Sequence, residues 1–442
     1  MSINRREFMQ KASVTAAGAS LFTILPSRIW ASAVAPSDKI NVALIGCRNH
    51  GFTVLRHHLA FDDVNCVAMC DVDDNVLNER SANVRENFGH NPRLYKDFRR
   101  LLEQKDIDAV IIGTPDHWHC LNFVYACQEG KDIFVEKPLA NTIGECDIMV
   151  RAARRYNRVV QVGQQQRSGR AFIEPMELIK GGAIGKLRKV NIWANFHYGL
   201  GASPVEDSAV PDGVDYDMWL GPAPLRPFNR ARFHGSWRHF WDYGSGMMSD
   251  WGVHLVDIGL WVKDIVEGPD VVMTYAGNTS DQVRMRDTFD TMTMVYPKKD
   301  FVINYDVTAG CQNGPYEKLY GIAFIGDNGT IVVDRGGYRL YPEWDNETRT
   351  HKAEEKVLTG MQESHGEHVR NFLDCIKTRT TPACTPEMGR AAAIHVHIAN
   401  ISARIGEHLL MWDDTNGRFT NNEKANQYIT PVYRAPWELP EV

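Results

Sequence analysis

Short apolar runs alternate with helical stretches between Lys39 and residue 163, and this alternation constrains the fold more than any other feature. The runs that predict buried strands are Ile40–Ile45, Val64–Cys70, Ala109–Ile112, Ile133–Val135 and Val159–Val162, and a helix is predicted over Asp147–Tyr156. Repeated strand–helix units of this length are typical of a parallel, doubly wound sheet. We therefore predict an α/β protein whose first domain spans residues 37–163, with its functional loops at the carboxyl ends of the strands.

The pattern changes after residue 163, where strand-like runs follow one another with short turns. The runs are Arg188–Phe196, Val271–Tyr275, Thr291–Tyr296, Phe301–Tyr305, Tyr320–Ile325 and Thr330–Val333, and helices are predicted over Glu174–Lys180, Gly252–Val266, His368–Ile376 and Arg390–Ile405. Successive strands favour a mostly antiparallel sheet. Residues 203–241 show no clear period and predict long ordered loops. Residues 164–442 are thus predicted to form a second α/β domain, with a tail that packs on the body or on a neighbouring subunit.

The N-terminus has the features of an export signal rather than of a folded domain. The segment Asn4–Gln10 pairs two arginines with a following Phe-Met, the mildly apolar stretch Ala12–Leu25 comes next, and Ala31–Ala33 fits a small-residue cleavage site. These parts, in this order, predict a twin-arginine signal over residues 1–33 and an exported, periplasmic protein. The alternative is a cytoplasmic chain that begins with basic residues by chance.

Composition excludes several classes of partner and site. The formal charge is −6 and there is no basic block, so the sequence gives no support for nucleic-acid binding. Outside the extreme N-terminus, no apolar run is long enough to span a membrane. The nine cysteines do not have the spacing of a zinc site or of a disulfide framework, and we predict no metal centre.

A Gly-rich turn follows the first predicted strand and opens a helix. Gly46 and Gly51 occupy the first and sixth positions of a dinucleotide fingerprint, in which backbone N–H groups attract a pyrophosphate. The third position is Arg48 instead of Gly, and its guanidinium could lie on a phosphate. Asp71 ends the second strand, where a carboxylate can bind both adenosine ribose hydroxyls and repel a 2′-phosphate. The turn alone is equally compatible with no nucleotide, but with Asp71 it predicts NAD, with NADP less favoured.

Three further residues suggest hydride transfer at a hydroxyl-bearing carbon. Lys137 follows Glu136 at the end of a predicted strand and can donate a hydrogen bond to a substrate oxygen, while Pro138 can fix it through a cis bond. Asp250 and His254 are four residues apart and share one face of a helical turn. Histidine takes a hydroxyl proton near neutral pH, and Asp250 could orient it. Taken singly, Lys137 is typical of a surface lysine and His254 of a core histidine.

Aromatic and polar side chains in the loops of the second domain favour a carbohydrate site, because sugars stack on rings and bond their hydroxyls to polar groups. The candidates are Trp193, His197, Tyr198, Trp237, Trp241 and Tyr243, with Arg167, Arg238 and Asp242 as partners for hydroxyls. We expect two or three of the first six to contact a ligand. The others are expected to serve the core or a dimer contact.

Together these motifs resemble the Gfo/Idh/MocA family of oxidoreductases over nearly the whole chain that follows the signal. The resemblance is carried by Gly46–Gly51, Asp71, Thr114-Pro115-Asp116 with His119, Glu136-Lys137-Pro138, Gly163–Arg167 and Asp250–His254. It implies that Lys137 and His254 are catalytic and that Asp250 assists. The cofactor-binding residues that it implies are Gly46, Arg48, Asn49, Gly51, Asp71, Thr114, Pro115, Asp116, His119, Glu136, Lys137 and Gln166. Arg48 departs from the family pattern and leaves the phosphate-binding geometry open.

The resemblance further implies a Rossmann domain, an open sheet in the second domain that often mediates oligomers, and NAD(H)- or NADP(H)-dependent action on a sugar or polyol. A homodimer or homotetramer is therefore expected. Because no free NAD pool is expected outside the cytoplasm, an exported member is expected to hold its NAD tightly and restore it in each cycle. One alternative is a redox-neutral, NAD-dependent glycoside hydrolase. A second alternative is a non-catalytic periplasmic sugar-binding protein.

Overall fold

The computed structural model describes residues 38–442, and its first domain is built on six parallel strands. These are β1 (Ile40–Ile45), β2 (Val64–Cys70), β3 (Arg93–Tyr95), β4 (Ala109–Ile112), β5 (Asp132–Val135) and β6 (Val160–Val162), in the order β3-β2-β1-β4-β5-β6. This is the strand order of a doubly wound dinucleotide-binding sheet, and the predicted fold class is confirmed. The export signal predicted over residues 1–33 lies outside the described residues.

The central strands β1 and β4 are apolar on both faces because helices cover both sides of the sheet. In β1, Val42 and Leu44 belong to one core, whereas Ala43 and Ile45 belong to the other. The helices of this part of the chain are α1 (Asn49–His58), α2 (Asp74–Phe88), α3 (Phe98–Leu102), α4 (His119–Gln128) and α5 (Ile143–Arg155). Because all six strands are parallel, their carboxyl ends lie together at one edge of the sheet.

The second domain contains a ten-stranded mixed sheet. Its region of the chain forms β7 (Leu187–Ala194), β8 (Val271–Gly277), β9 (Thr291–Pro297), β10 (Val302–Thr308), β11 (Tyr320–Gly326), β12 (Gly329–Asp334), β13 (Gly337–Pro342), β14 (Trp344–Asp345), β15 (Thr350–His351), β16 (Lys356–Thr359), β17 (Leu409–Asp413) and β18 (Arg418–Phe419). The order is β16-β13-β12-β11-β7-β10-β9-β8-β17-β18, and β14 with β15 forms a separate pair. Strands β7 and β10 pair in parallel. The other neighbours in the described sheet are antiparallel, as predicted.

One face of this sheet is covered by helices and the other carries exposed apolar side chains. The helices of the second half are α6 (Arg170–Lys180), α7 (Tyr216–Leu220), α8 (Val253–Trp261), α9 (His365–Thr378), α10 (Pro386–Ile405) and α11 (Glu423–Asn426). Ile258 of α8 and Ile398 of α10 share a core with Ile303 of β10. On the opposite face of β8, Met273 is 42% exposed and Tyr275 is 66% exposed. The sheet is therefore open on that side of the described chain.

Helix α9 packs on the first sheet rather than on the second. Its residues Val369 and Phe372 lie in the same core as Val42 and Leu44. The helix is also held by charge, because Lys377 Nζ lies 2.5 Å from Asp63 Oδ2. The helical pattern was predicted, but its position was not, and the core of the first domain extends beyond residues 37–163.

The stretch over residues 203–241, predicted as ordered loops, folds around an aromatic cluster. The cluster contains Trp219, Leu220, Ala223, Phe228, Phe233, Trp237, Phe240 and Tyr243, and α7 is its main regular element. This stretch reaches the first domain through its backbone. Asp215 N donates to Val72 O at 2.9 Å, and Asp74 N donates to Gly213 O at 2.9 Å.

The structure differs from the predicted elements at α8 and in the tail. Helix α8 is shorter than the predicted Gly252–Val266, and a π-helical turn, Met248–Gly252, precedes it. Strand β17 was not predicted. The tail packs on the body, where the rings of Trp437 and Trp118 lie 4.9 Å apart. Within residues 38–442, no helix combines the length and the apolar character that crossing a bilayer requires.

Candidate active site

A cavity of about 710 Å³ lies where the carboxyl ends of the first sheet face the second domain. Fifteen of the predicted site residues line it: Gly46, Arg48, Asn49, Gly51, Asp71, Thr114, Pro115, Asp116, Glu136, Lys137, Tyr198, Trp237, Arg238, Asp250 and His254. They come from four strand ends of the first sheet and from three segments of the second domain. The fold thus brings the residues predicted for cofactor binding and those predicted for catalysis to one cavity.

The Gly-rich turn is packed so closely that side chains do not fit in it. A Cβ on Gly51 would lie 2.2 Å from Gly46 O, and a Cβ on Gly113, at the end of β4, would lie 2.5 Å from Gly51 Cα. Gly46 also has φ +88°, which favours glycine. Helix α1 begins directly after Arg48, whose side chain makes no capping bond. The first N–H groups of α1 are therefore available to an anion, and this arrangement fits a dinucleotide pyrophosphate.

Arg48 is exposed at the same turn, and no carboxylate of residues 38–442 forms a salt bridge with its guanidinium. Burial lowers the pKa of Arg48, while Asp73 and Asp71 act in the opposite direction. The guanidinium is thus close to these two carboxylates at the end of β2. This position is compatible with the predicted contact to a phosphate.

Asp71 is held by the backbone at the end of β2. Its Oδ2 accepts a hydrogen bond from Cys47 N at 2.7 Å, and its Oδ1 accepts one from Asp73 N at 3.0 Å. Burial raises the pKa of Asp71 to about 6, against the lowering effect of these hydrogen bonds. Each oxygen retains a lone pair that can accept a ribose hydroxyl. The fixed carboxylate therefore fits the adenosine ribose of the dinucleotide.

Lys137 and Asp250 form an ion pair at the other end of the cavity. Lys137 Nζ donates to Asp250 Oδ1 and to Asp250 O, both at 2.7 Å, and each side chain is 11% exposed. Tyr198 donates its hydroxyl to Asp250 Oδ2 at 2.6 Å, and Arg238 Nε donates to Oδ1 at 3.1 Å. Burial alone would raise the pKa of Asp250, but Lys137 and Arg238 hold it well below its usual range. Asp250 is therefore an anion, and the Lys137–Pro138 bond beside it is cis.

His254 lines the same end of the cavity, one helical turn after Asp250. It is 4% exposed, and its Nδ1 has no hydrogen-bond partner among the described residues. Burial, followed by the charges of Lys137 and Arg335, holds the pKa of His254 well below its usual value. The imidazole is consequently neutral near pH 7 and can accept a proton from a bound hydroxyl.

Glu136 precedes Lys137 and lines the same cavity. Its Oε1 lies 3.2 Å from His50 Nε2, and a Cβ on Gly163 would lie 2.6 Å from the same oxygen. Burial raises the pKa of Glu136, but His50 and Lys137 outweigh that effect and bring the pKa to about 2. In contrast, burial raises the pKa of the cavity residue Asp116 well above its usual value.

Arg167, His197 and Tyr243, which were predicted for the substrate pocket, do not line this cavity. Arg167 is 6% exposed, and its Nε and Nη2 donate to Asp257 Oδ2 and Oδ1 at 2.7 and 2.8 Å. Tyr243 is fully buried and packs on Trp219, with ring centroids 4.9 Å apart. His197 is exposed and lies outside the cavity. Of the six proposed ring residues, Tyr198 and Trp237 line the cavity.

His119 and Gln166 lie behind the cavity wall rather than in it. His119 is buried, with Nδ1 2.8 Å from Pro138 O and Nε2 3.0 Å from Thr114 O, so it links the loops that follow β4 and β5. Gln166 is 1% exposed, and neither of its amide atoms has a partner in the described chain. These residues can position the cavity loops, whereas direct contact with a cofactor is not supported by their placement.

Sequence reasoning missed several cavity residues: His50, Gln165, Trp219, His234, Trp251, Arg335 and His365. His50 and Trp251 lie inside motifs that were singled out, so their neighbours could have indicated them. Arg335 lies in the turn between β12 and β13, where the sequence offers no signal. Its assignment needs the fold.

The ion pair between Arg167 and Asp257 tests whether Arg167 has a structural role. Replacing Arg167 with Ala leaves a buried carboxylate without its partner, which should lower the free energy of unfolding by about 3–5 kcal/mol. The matched control is Arg170→Ala, because Arg170 pairs with Glu174 on the surface of α6. Its replacement should leave the free energy of unfolding nearly unchanged. Denaturant unfolding of both variants measures the difference. Equal stability of the two variants would contradict the structural assignment.

Comparison with known proteins places the chain in a family. Residues 40–164 match the sequence profile described as the oxidoreductase family, NAD-binding Rossmann fold, of the Gfo/Idh/MocA type. Residues 176–312 and 326–439 match the profile described as its C-terminal alpha/beta domain. A glycosyl hydrolase family 109 protein of Shewanella pealeana is 31% identical over 209 residues, which cover 42% of this chain and 45% of that protein. The chain thus matches less than half the length of that relative.

Two solved structures share the fold. WlbA dehydrogenase from Bordetella pertussis, in complex with NADH and UDP-GlcNAcA, superposes with a TM-score of 0.62 at 18% identity, covering 85% of this chain and 99% of that one. Aldose-aldose oxidoreductase from Caulobacter crescentus, complexed with glycerol, gives a TM-score of 0.62 at 18% identity, covering 85% and 100%. With both domain profiles matched and the site assembled at the expected sheet edge, the chain belongs to the Gfo/Idh/MocA family of NAD-binding oxidoreductases.

Proposed function

We propose that the protein transfers hydride at a sugar or polyol hydroxyl and keeps its NAD bound throughout the cycle. The observation that carries this proposal is the shared cavity. The Gly46–Gly51 turn and Asp71 stand at one end of it, and Lys137, Asp250 and His254 stand at the other. When bound, the dinucleotide supplies a hydride acceptor and donor at its nicotinamide ring.

The proton chemistry follows from the geometry of Lys137 and His254. Two of the three Lys137 ammonium protons are engaged by Asp250, which leaves a third to bind the substrate oxygen. That contact stabilises negative charge as the oxygen loses its proton. The neutral imidazole of His254 accepts the proton, since its low pKa keeps it unprotonated near neutral pH. Tyr198 and Trp237 offer ring faces to a sugar.

Retention of the cofactor is supported by hydrogen bonds between a segment of the second domain and the first domain. Residues 212–235 bind the connection between β2 and α2, through Asp74 N to Gly213 O and through His234 Nε2, which lies 3.0 Å from Asp73 Oδ2. The C-terminal tail binds the same segment, because Arg434 Nε donates a hydrogen bond to Gly221 O at 3.0 Å. The dinucleotide would therefore be enclosed between a glycine cradle and an ordered segment. A retained cofactor suits export through the twin-arginine route, which we propose for this chain.

A second candidate is redox-neutral glycoside hydrolysis, favoured by the likeness to a protein named glycosyl hydrolase family 109. The first step is the same oxidation of a ring hydroxyl to a ketone. The ketone makes the neighbouring C–H acidic, so the aglycone can leave by elimination. Water then adds to the double bond, and returning the hydride restores the hydroxyl. The same Lys137 and His254 would serve both oxidation and reduction.

We further propose a homo-oligomer formed through the open face of the second sheet. The apolar side chains on that face include Met273 and Tyr275 of β8 and Met411 of β17, which is 44% exposed. An exposed apolar face of this kind is typical of a subunit contact.

The substrate expected for the cavity is a small carbohydrate.

Asp71 should make NAD the preferred cofactor. A carboxylate next to the ribose repels a 2′-phosphate, so protein stripped of nucleotide should bind NAD more tightly than NADP by roughly tenfold or more. Asp71→Ser should reduce or reverse this preference, because Arg48 stays close by and can bind the added phosphate. Asp62→Ser, at an exposed position of the β1–β2 segment, is the control. Equal affinity of the wild type for the two cofactors would contradict the assignment.

The proposed function is tested with protein purified without added NAD. Denaturation should release close to one NAD per chain. Intact protein should release aglycone from the correct aryl glycoside, or exchange redox state with a free sugar, with no external cofactor. Lys137→Met should keep its NAD and lose activity by about 10²–10³-fold, since removing one donor that stabilises a developing oxyanion costs that much.

Lys105→Met is the matched control, because Lys105 is 83% exposed and pairs with Glu129 far from the cavity. Its activity should equal that of the wild type. Near-normal turnover of Lys137→Met would overturn the catalytic assignment. A protein that contains no NAD and works only when NAD is supplied would overturn retention. Sugar binding without any redox change would favour the non-catalytic alternative.

A further inference from the structure

Arg335 lines the active-site cavity from the turn between β12 and β13, and both its guanidinium and its backbone contact neighbouring aromatic residues. Its guanidinium carbon lies 4.7 Å from the ring centroid of Trp251. That ring is itself stacked on Phe196, with centroids 4.3 Å apart, and contacts Tyr320 at 4.5 Å. The Arg335 backbone donates to Tyr320 Oη at 3.3 Å. The guanidinium therefore packs on the ring of Trp251, which is itself packed between other aromatic side chains.

Unlike its cationic neighbours, Arg335 forms no salt bridge with a described residue. Lys137 and Arg238 both bind Asp250, as described above. The adjacent Asp334 is taken by Lys318 Nζ at 2.8 Å. Within residues 38–442, no carboxylate forms a salt bridge with Arg335, and its buried Nε has no hydrogen-bond partner. Burial lowers the pKa of Arg335, while the hydroxyls of Tyr320 and Tyr198 and the carboxylates of Asp250 and Glu136 act in the opposite direction.

A guanidinium that is largely withdrawn from water and forms no direct ion pair is costly in the unliganded protein. Its planar donors match carboxylate, sulfate or phosphate oxygens in a bidentate contact. The missing partner is thus an anion that arrives with a ligand.

The position of Arg335 indicates which ligand brings the anion. The pyrophosphate fits the Gly46–Gly51 turn, where Arg48 is the exposed cation. Arg335 belongs to the second domain and lies close enough to His254 to lower the pKa of that imidazole. The anion would therefore sit beside the reacting hydroxyl, on the part of the cavity left to the substrate.

We propose that the substrate is an anionic sugar, one that carries a carboxylate, sulfate or phosphate group, and that Arg335 binds this group and selects for it. This proposal rests on the proposed action on a sugar, and it adds that the sugar carries a negative charge. Trp251 then holds the guanidinium in the orientation that bidentate binding requires. Neutral sugars would leave the guanidinium without a partner and bind more weakly.

The test compares matched pairs of sugars on the protein with its NAD bound. The probes are D-glucose with D-glucuronate, D-galactose with D-galacturonate, and D-glucose with its monosulfate and monophosphate esters, titrated by calorimetry. At least one acidic member should bind roughly 10- to 100-fold more tightly than its parent, as expected for a charge-assisted contact. Tighter binding of the uronates identifies a carboxylate, and tighter binding of an ester identifies a sulfate or phosphate.

Variants show whether Arg335 is the cause. Arg335→Gln should remove the preference for the acidic member, while Arg335→Lys should keep part of it because the charge remains. Arg339→Gln is the control, since Arg339 pairs with Glu355 on the surface of the neighbouring strand β13, and it should keep the full preference. If Arg335→Gln does not fold, the wild type and Arg335→Lys carry the comparison.

Two results would overturn the proposal. One is a wild type that binds no acidic sugar more tightly than its parent, which includes the case where neither binds. The other is a preference that persists in Arg335→Gln. The proposed function fails separately, when sugars bind but none of them changes the redox state of the resident nicotinamide.

Discussion

The ion pair between Lys137 and Asp250 is the interaction on which the geometry of the active site depends. Lys137 follows β5 of the first domain, and Asp250 lies in the π-helical turn before α8 of the second. A bare buried pair is not expected to be stabilising, because removing both charges from water is costly. Here Asp250 accepts hydrogen bonds from Lys137, Arg238 and Tyr198, which compensate its charge. The pair thereby fixes the reacting end of the cavity and leaves one lysine proton for substrate.

The opposite end of the cavity is fixed by close backbone packing rather than by charge. Gly46, Gly51 and Gly113 bring the turn after β1 against the end of β4 with no space for a Cβ. Residues 212–235 then cross to the connection between β2 and α2 and are held there by backbone hydrogen bonds. These features explain how one cavity can retain a long dinucleotide and still present a site for a small substrate. They also make retention of the cofactor, rather than its exchange, the proposal that fits this chain.

Features encoded over short sequence distances could be predicted. The strands β1, β2 and β4 are continuous apolar runs, and Asp71, Lys137 and Asp250 follow from their places at strand ends or in local motifs. Features that depend on contacts between distant segments could not. Arg167 was expected in the pocket because it closes a motif, yet Asp257 binds it in the core. The position of α9 on the first sheet, and that of Arg335 in the cavity, likewise depend on the complete fold.

The most direct test of the central claim is to follow the hydride itself. A sugar substrate carrying deuterium on the reacting carbon is mixed with the protein and its resident NAD, the reaction is quenched within a single turnover, and the released nicotinamide is analysed by mass spectrometry. Our account predicts that the nicotinamide gains deuterium in the wild type and stays unlabelled in Lys137→Met. Product formation by the wild type with an unlabelled nicotinamide would contradict it, because the chemistry would then not pass through hydride transfer at this site.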